Sequence, residues 1–173
     1  MRIFAAAFAL LAAASALAQQ PQEHEVKAAF LYKFPSFVEW PAQSFARADT
    51  PLVIGVLGAD EVHASLLEMV QGRPLQGRPV EVRRLKEGER TFGIHVLFVG
   101  RAVAAILPKL GAAPGLLVVS EVDGALEQGA MINFLRIDGR VRFEVAPEAA
   151  ERRGMRISSR MLAVAQHVKP GRL

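Results

Sequence analysis

The chain contains no cysteine. Disulfides and thiol redox control are therefore excluded, and stability has to come from packing. Aromatic residues are also scarce: ten Phe, one Tyr and one Trp in 173 residues. The four histidines, His24, His63, His95 and His167, show no metal-ligand spacing, so no metal and no cofactor is expected. Ser158-Ser159 lack the glycines of a nucleophile elbow. Asp60-Glu61 are what a helix start favours without any catalysis. No constellation of titratable residues points to an enzyme. A small hydrolase using Asp60 and a nearby histidine stays as the minor alternative.

Long apolar runs are limited to one, Ile3 to about Leu17, preceded by Arg2 and followed by small residues at Ala16 and Ala18. It falls short of the roughly 20 residues of a spanning helix and has the A-x-A pattern of a cleaved leader. Residues 1–18 are therefore expected to be a signal peptide, and 19–173 a single exported domain in the periplasm. The net charge is a modest +4, although nine of the 21 basic residues fall after Leu135. Solvated helix faces are the leading account of these residues, contact with an acidic partner or the membrane surface is the weaker one, and the compartment disfavours nucleic acid.

Buried-strand patterns alternate with helical ones. "PLVIGVLG" (51–58), "IHVLFVG" (94–100) and "GLLVVSE" (115–121) are apolar, β-branched runs, and "RPVEVRRL" (78–85) alternates with one polar face. "ADEVHASLLEMV" predicts a helix capped by Asp60, with Val62, Leu66, Leu67 and Val70 inward. "RAVAAILPKL" is a helix weakened by Pro108. "MINFLRIDGRVRFEV" is a hairpin turning at Asp138-Gly139. Pro147 and Gly154 bracket a short helix, Met155 and Ile157 an extended link, and Ser158 caps a last helix carrying Met161, Leu162, Ala165 and Val168 inward. The order predicts an α/β fold: one three-layer domain, a mixed, mainly parallel sheet of about five or six strands, helices on both faces, and a C-terminal hairpin plus helix.

The segment "KAAFLYKFPSFVEWP" (27–41) holds Phe30, Tyr32, Phe34, Phe37 and Trp40 within fifteen residues. Phe30 and Phe34 share a helical stripe and are expected in the core, whereas Tyr32 and Trp40 fall off it and are surface candidates. Pro35 removes an N–H and disfavours a helical Phe34, which predicts a kink or restart with Pro35 in the first turn of a second piece. Tyr32, Phe37 and Trp40, with Arg156 and Arg160, are the candidate partner-binding residues. Trp40 is the one singled out for functional mutation.

In an open α/β sheet, ligands sit beyond the carboxyl ends of the strands. Those ends carry Gly58, Asp60, Arg101 and Ser120, the candidates for a small ligand; Gly58 opens a helix N-terminus that could receive an anion, with Arg101 assisting. "GVLG" is nevertheless no dinucleotide fingerprint.

"VKAAFLYKFPSFVEWP", "LVIGVLG", "LQGRPVEVRRL", "VLFVG", "GLLVVSEVDG", "GAMINFLRIDGRVRFEV" and "ISSRMLAVA" occur in the order found in YfiR-like periplasmic proteins, and the chain resembles that family from about Glu25 to Val168. The resemblance implies an exported, non-enzymatic α/β domain that represses a membrane diguanylate cyclase by binding its periplasmic domain. It further implies relief of that repression by an outer-membrane, peptidoglycan-associated lipoprotein, and it allows a homodimer. Two features depart from the pattern: some members carry disulfides and this chain has none, and Pro35 stands where a helix former is expected. A periplasmic small-ligand-binding protein feeding a sensor is the second reading.

Overall fold

The computed structural model describes residues 21–110 and 113–171. The expected signal peptide lies outside the described residues. The first helix, α1 (Glu23–Lys33), starts with a reciprocal capping box between Gln22 and Glu25 and ends on Lys33, which suits the helix dipole. Pro35 has no N–H to continue the ladder, so the chain tightens into a 3₁₀ turn over Phe34–Phe37 with the proline in its first turn. The restart is the expected one, but Phe34 keeps helical dihedrals (φ −51°, ψ −42°) despite the proline that follows. The chain then extends through β1 (Val38–Glu39) and a second 3₁₀ turn, Ala42–Ser44.

The centre of the molecule is β2 (Leu52–Leu57), every residue of which is buried, as an uninterrupted apolar strand between two parallel neighbours must be. After α2 (Asp60–Val70) comes β3 (Val80–Leu85), then β4 (Val96–Val99), a 3₁₀ segment (Arg101–Lys109) and β5 (Leu117–Ser120). The hairpin follows as β6 (Ile132–Ile137) and β7 (Arg140–Val145). Its turn residues Asp138 and Gly139 both adopt positive φ, at 49° and 74°, as the two-residue turn requires. The chain closes with α3 (Pro147–Glu151), β8 (Arg156–Ile157), α4 (Ser159–Val164) and β9 (His167–Val168).

Among the described residues seven strands form the main sheet in the order β3-β2-β4-β5-β6-β7-β9, parallel except where β7 returns against β6. This is the expected mixed, mainly parallel sheet with one strand more. The addition is β9, where a continued last helix was expected. That helix stops at Ala165 (ψ 142°), and Gln166 and Lys169 donate instead to Phe143 O and Val145 O at 2.8 Å each. Sheet pairing therefore overrides the helical spacing of Ala165 and Val168. The connections β2→α2→β3 and β4→3₁₀→β5 step in opposite directions along the sheet, so right-handed crossovers put them on opposite faces.

Two smaller expectations also change. Ala59, not Asp60, is the N-cap of α2, and Asp60 is its first residue. Leu67 is exposed at 45% while Val62, Leu66 and Val70 face inward. A separate two-stranded ladder pairs β1 with β8, Val38 opposite Ile157, and Ser158 N–H donates to Phe37 O at 2.9 Å. This ladder fastens the start of α4 beside the end of the α1 segment, and that juxtaposition builds the site described next.

Candidate functional site

Helix α1 packs on α2 and β7, burying Lys27, Ala28, Leu31 and Tyr32. Its neighbouring face, with Val26, Ala29 and Phe30, is apolar too and is only partly covered. Across from it, α4 is capped by Ser158, whose hydroxyl accepts from Met161 N–H at 3.4 Å, and presents Met161 and Val164. The space between is an apolar groove of about 780 Å³. Its floor belongs to an aromatic cluster in which Phe34 lies 5.1 Å from Phe143 and 5.6 Å from Phe30 by ring centroids. Val164, on the α4 wall, is 70% exposed, a large aliphatic side chain left in water at the lip of an apolar channel. Lys33 and Arg160 stand at the rim.

Of the five residues expected to meet a partner, Phe37 and Arg160 line this groove. Arg156 is exposed elsewhere, on β8, 3.7 Å from Glu39. Tyr32 is corrected: it is buried and its hydroxyl donates to Pro74 O at 3.2 Å, because α2 covers that side of α1. Trp40 is half-buried away from the groove, with its ring edge-on to Phe45 (6.0 Å) and His95 (6.1 Å). Val164 and Lys33, which also line the groove, are not among the sequence candidates. The only signal for Val164 is its place one turn beyond Met161.

Trp40 belongs to a stack with His95 at its base. Phe45 lies parallel to the His95 ring at 4.4 Å and 6°, with the Arg78 guanidinium 4.1 Å over Phe45. Val53 N–H donates to His95 Nδ1 at 3.1 Å, which fixes the neutral tautomer whose Nε2–H donates to Ser44 O at 2.9 Å. Burial, with smaller contributions from Arg78 and Arg83, lowers the His95 pKa below the ordinary 6.5. The unfolded chain therefore takes up a proton first as pH falls through 6.5. This contribution to stability is complete above 6.5, declines as pH falls toward the lowered folded value, and is lost below it. Equilibrium unfolding between pH 7.5 and 5 should show this decline, at no more than about 1.4 kcal/mol per pH unit for one proton, and His95→Gln should flatten it.

At the carboxyl ends of the strands, Gly58, Asp60 and Arg101 do share a cavity, of about 700 Å³. Ser120 does not belong to it. That correction follows from burial: Ser120 is fully buried and its hydroxyl donates to Val99 O at 3.0 Å. Gly100 lets the strand ends close here, since a Cβ on it would lie 2.3 Å from Gly58 O. The lining also includes Glu23, Glu61 and Glu121, so with Asp60 four carboxylates face Lys27 and Arg101. Lys27, 7% exposed, is clamped between Glu23 and Glu121. Lys27 holds the Glu23 carboxyl below its usual range, with help from Arg136 and Arg101 against the opposing effect of burial. Arg101 donates to the Glu121 carbonyl at 3.0 Å and Asp60 pairs with Arg84 at 2.5 Å. The cations are committed and the surroundings are acidic, which opposes an incoming anion. Among the described residues no group of three or more His, Asp or Glu side chains is placed to hold a metal ion.

Residues 24–166 match the YfiR/HmsC-like family, and the chain belongs to that family. Among solved structures it is similar to a conserved domain protein from Vibrio cholerae O1 biovar El Tor, with a TM-score of 0.52 at 14% identity. The likeness covers 85% of this chain but only 60% of that one, and at this identity it speaks for the fold alone. No curated protein matches the sequence. Among the described residues no helix is long and apolar enough to cross a membrane.

Proposed function

We propose that this protein is a non-enzymatic periplasmic regulator that binds the periplasmic domain of a membrane signalling protein. The leading partner is a diguanylate cyclase, which binding would repress, lowering cyclic-di-GMP. The observation that carries this reading is membership of the YfiR/HmsC-like family over residues 24–166, a family whose resemblance points to regulation and not catalysis. The α1–α4 groove supplies a physical means. A repressor needs only to bind one conformation of its target better than another. A hundredfold bias needs about 2.7 kcal/mol, within reach of one or two apolar anchors such as Phe37 and Val164. An outer-membrane lipoprotein that relieved the repression would then have to compete for the regulator.

The test is made in the cell of origin. Deleting the gene should raise cyclic-di-GMP, and returning the wild-type gene should lower it again. Val164→Asp should accumulate normally, because an exposed substitution changes stability by only about 0.5 kcal/mol, yet fail to restore the low level. Unchanged cyclic-di-GMP on deletion would overturn the reading.

A further inference from the structure

The geometry points to an amphipathic helix as the occupant of the α1–α4 groove, about three turns long, apolar on its inner face and acidic at its flanks. This deepens the proposed function by specifying which part of the partner is recognised, and it rests on that reading only for the partner's identity.

The shape argues for a helix. Val26, Ala29, Phe30 and Lys33 on α1, with Phe37 on the 3₁₀ turn that follows, recur at three- and four-residue intervals, a stripe roughly 18 Å long at 1.5 Å per residue on the helix and 2.0 Å on the turn. It lies beside, and separate from, the face that α1 buries on α2. A helix apolar on more than one face ordinarily packs on more than one side, and here the second side meets β7 at Phe30, 5.5 Å from Phe143 by ring centroids, and faces α4 only across an open channel. Ala29, midway along the stripe, leaves room for the close approach of a helix backbone.

The charges argue for an acidic flank. Lys33 lies over the Tyr32 ring at 5.3 Å and Arg160 is exposed on the first turn of α4. Among the described residues neither is ion-paired to a carboxylate, so each is open to one brought by a partner. Among the described residues the one acid on the lining, Glu25, is held in the capping box by Gln22 N–H at 2.7 Å. A second copy laid antiparallel along α1 would bring its Glu25 toward Lys33 and leave Arg160 unanswered. An acidic-flanked helix answers both.

Two synthetic helical peptides test this with the mature protein alone, by fluorescence anisotropy. Both are 14-mers with leucines at positions 2, 5, 9 and 12; one carries glutamates at its two ends, the other lysines. The glutamate peptide should bind at least about fivefold tighter at low ionic strength, a gap that salt narrows because rim charges are screened. Arg160→Glu, tolerated near a helix N-terminus, should erase most of the preference, and Val164→Asp should weaken both peptides. Equal binding of the two peptides would overturn the inference. So would binding of dodecanoate with neither peptide bound, or self-association in sedimentation that Val164→Asp abolishes. A failure here leaves the cyclic-di-GMP result standing, and a null result in the cell leaves the peptide preference standing.

Discussion

Phe34→Ala is expected to destabilise the protein by about 3–5 kcal/mol, the range for truncating a large buried aromatic. Phe34 is 2% exposed and stands at the centre of a ring cluster, with Phe30, Phe134 and Phe143 all within 5.7 Å by centroid. Phe98 joins the cluster through Phe134 at 5.9 Å, so the cluster connects α1, the hairpin and the parallel half of the sheet. The cavity cannot collapse easily, because the neighbouring rings are themselves fixed by sheet register. A chain of this size should lose roughly 10 °C or more in Tm. Phe37→Ala, at a half-buried position on the same segment, should cost far less stability and weaken partner binding. A loss below about 1 kcal/mol for Phe34→Ala would show that the cluster is not cohesive.

Lys27→Ala is expected to cost about as much, roughly 3–5 kcal/mol, for a different reason. The side chain is 9% exposed and separates Glu23 from Glu121, the latter 15% exposed. Removing the cation leaves two facing carboxylates, one of them poorly hydrated, with no counter-charge between them. Glu121 also accepts from the Arg101 backbone N–H at 3.2 Å, so its displacement would disturb the 3₁₀ segment after β4. The double variant Lys27→Met with Glu121→Gln should recover most of the loss, since the amide oxygen still accepts from Arg101 and no unpaired charge remains. Chemical denaturation of the wild type, Lys27→Ala and the double variant measures both the loss and its recovery. Equal stability of wild type and Lys27→Ala would place this lysine effectively in solvent.

The elements visible in the sequence are those where local pattern and tertiary environment agree. The all-buried runs of β2, β4 and β5 can only be central strands, and Asp138-Gly139 can only turn tightly. Pro35 likewise acts locally, by what it lacks. Expectations changed wherever a distant element decides. Tyr32 is off the stripe of one helix face, yet α2 buries it. Ser120 ends an apolar run as though open to a ligand, yet its hydroxyl folds back on the neighbouring strand. Ala165 and Val168 fit a helical period, yet β7 offers them a sheet edge. The groove was legible only in part. Phe37 and Arg160 stood out as an aromatic and a base, but nothing local announces that the β1–β8 ladder sets α4 against α1, or that Val164 is thereby left at its lip. Trp40, the most conspicuous single residue, turns out to pack on Phe45 and His95.

The most direct measurement is calorimetric titration of the mature protein with the purified periplasmic domain of a diguanylate cyclase from its own organism, repeated with Val164→Asp and Trp40→Ala. The account predicts binding by the wild type, a loss of at least tenfold in affinity for Val164→Asp, and near-wild-type affinity for Trp40→Ala if that variant remains folded. Binding that survives Val164→Asp unchanged and is lost in a folded Trp40→Ala would move the interface away from the groove. Absence of binding to every such domain would contradict the proposed function itself.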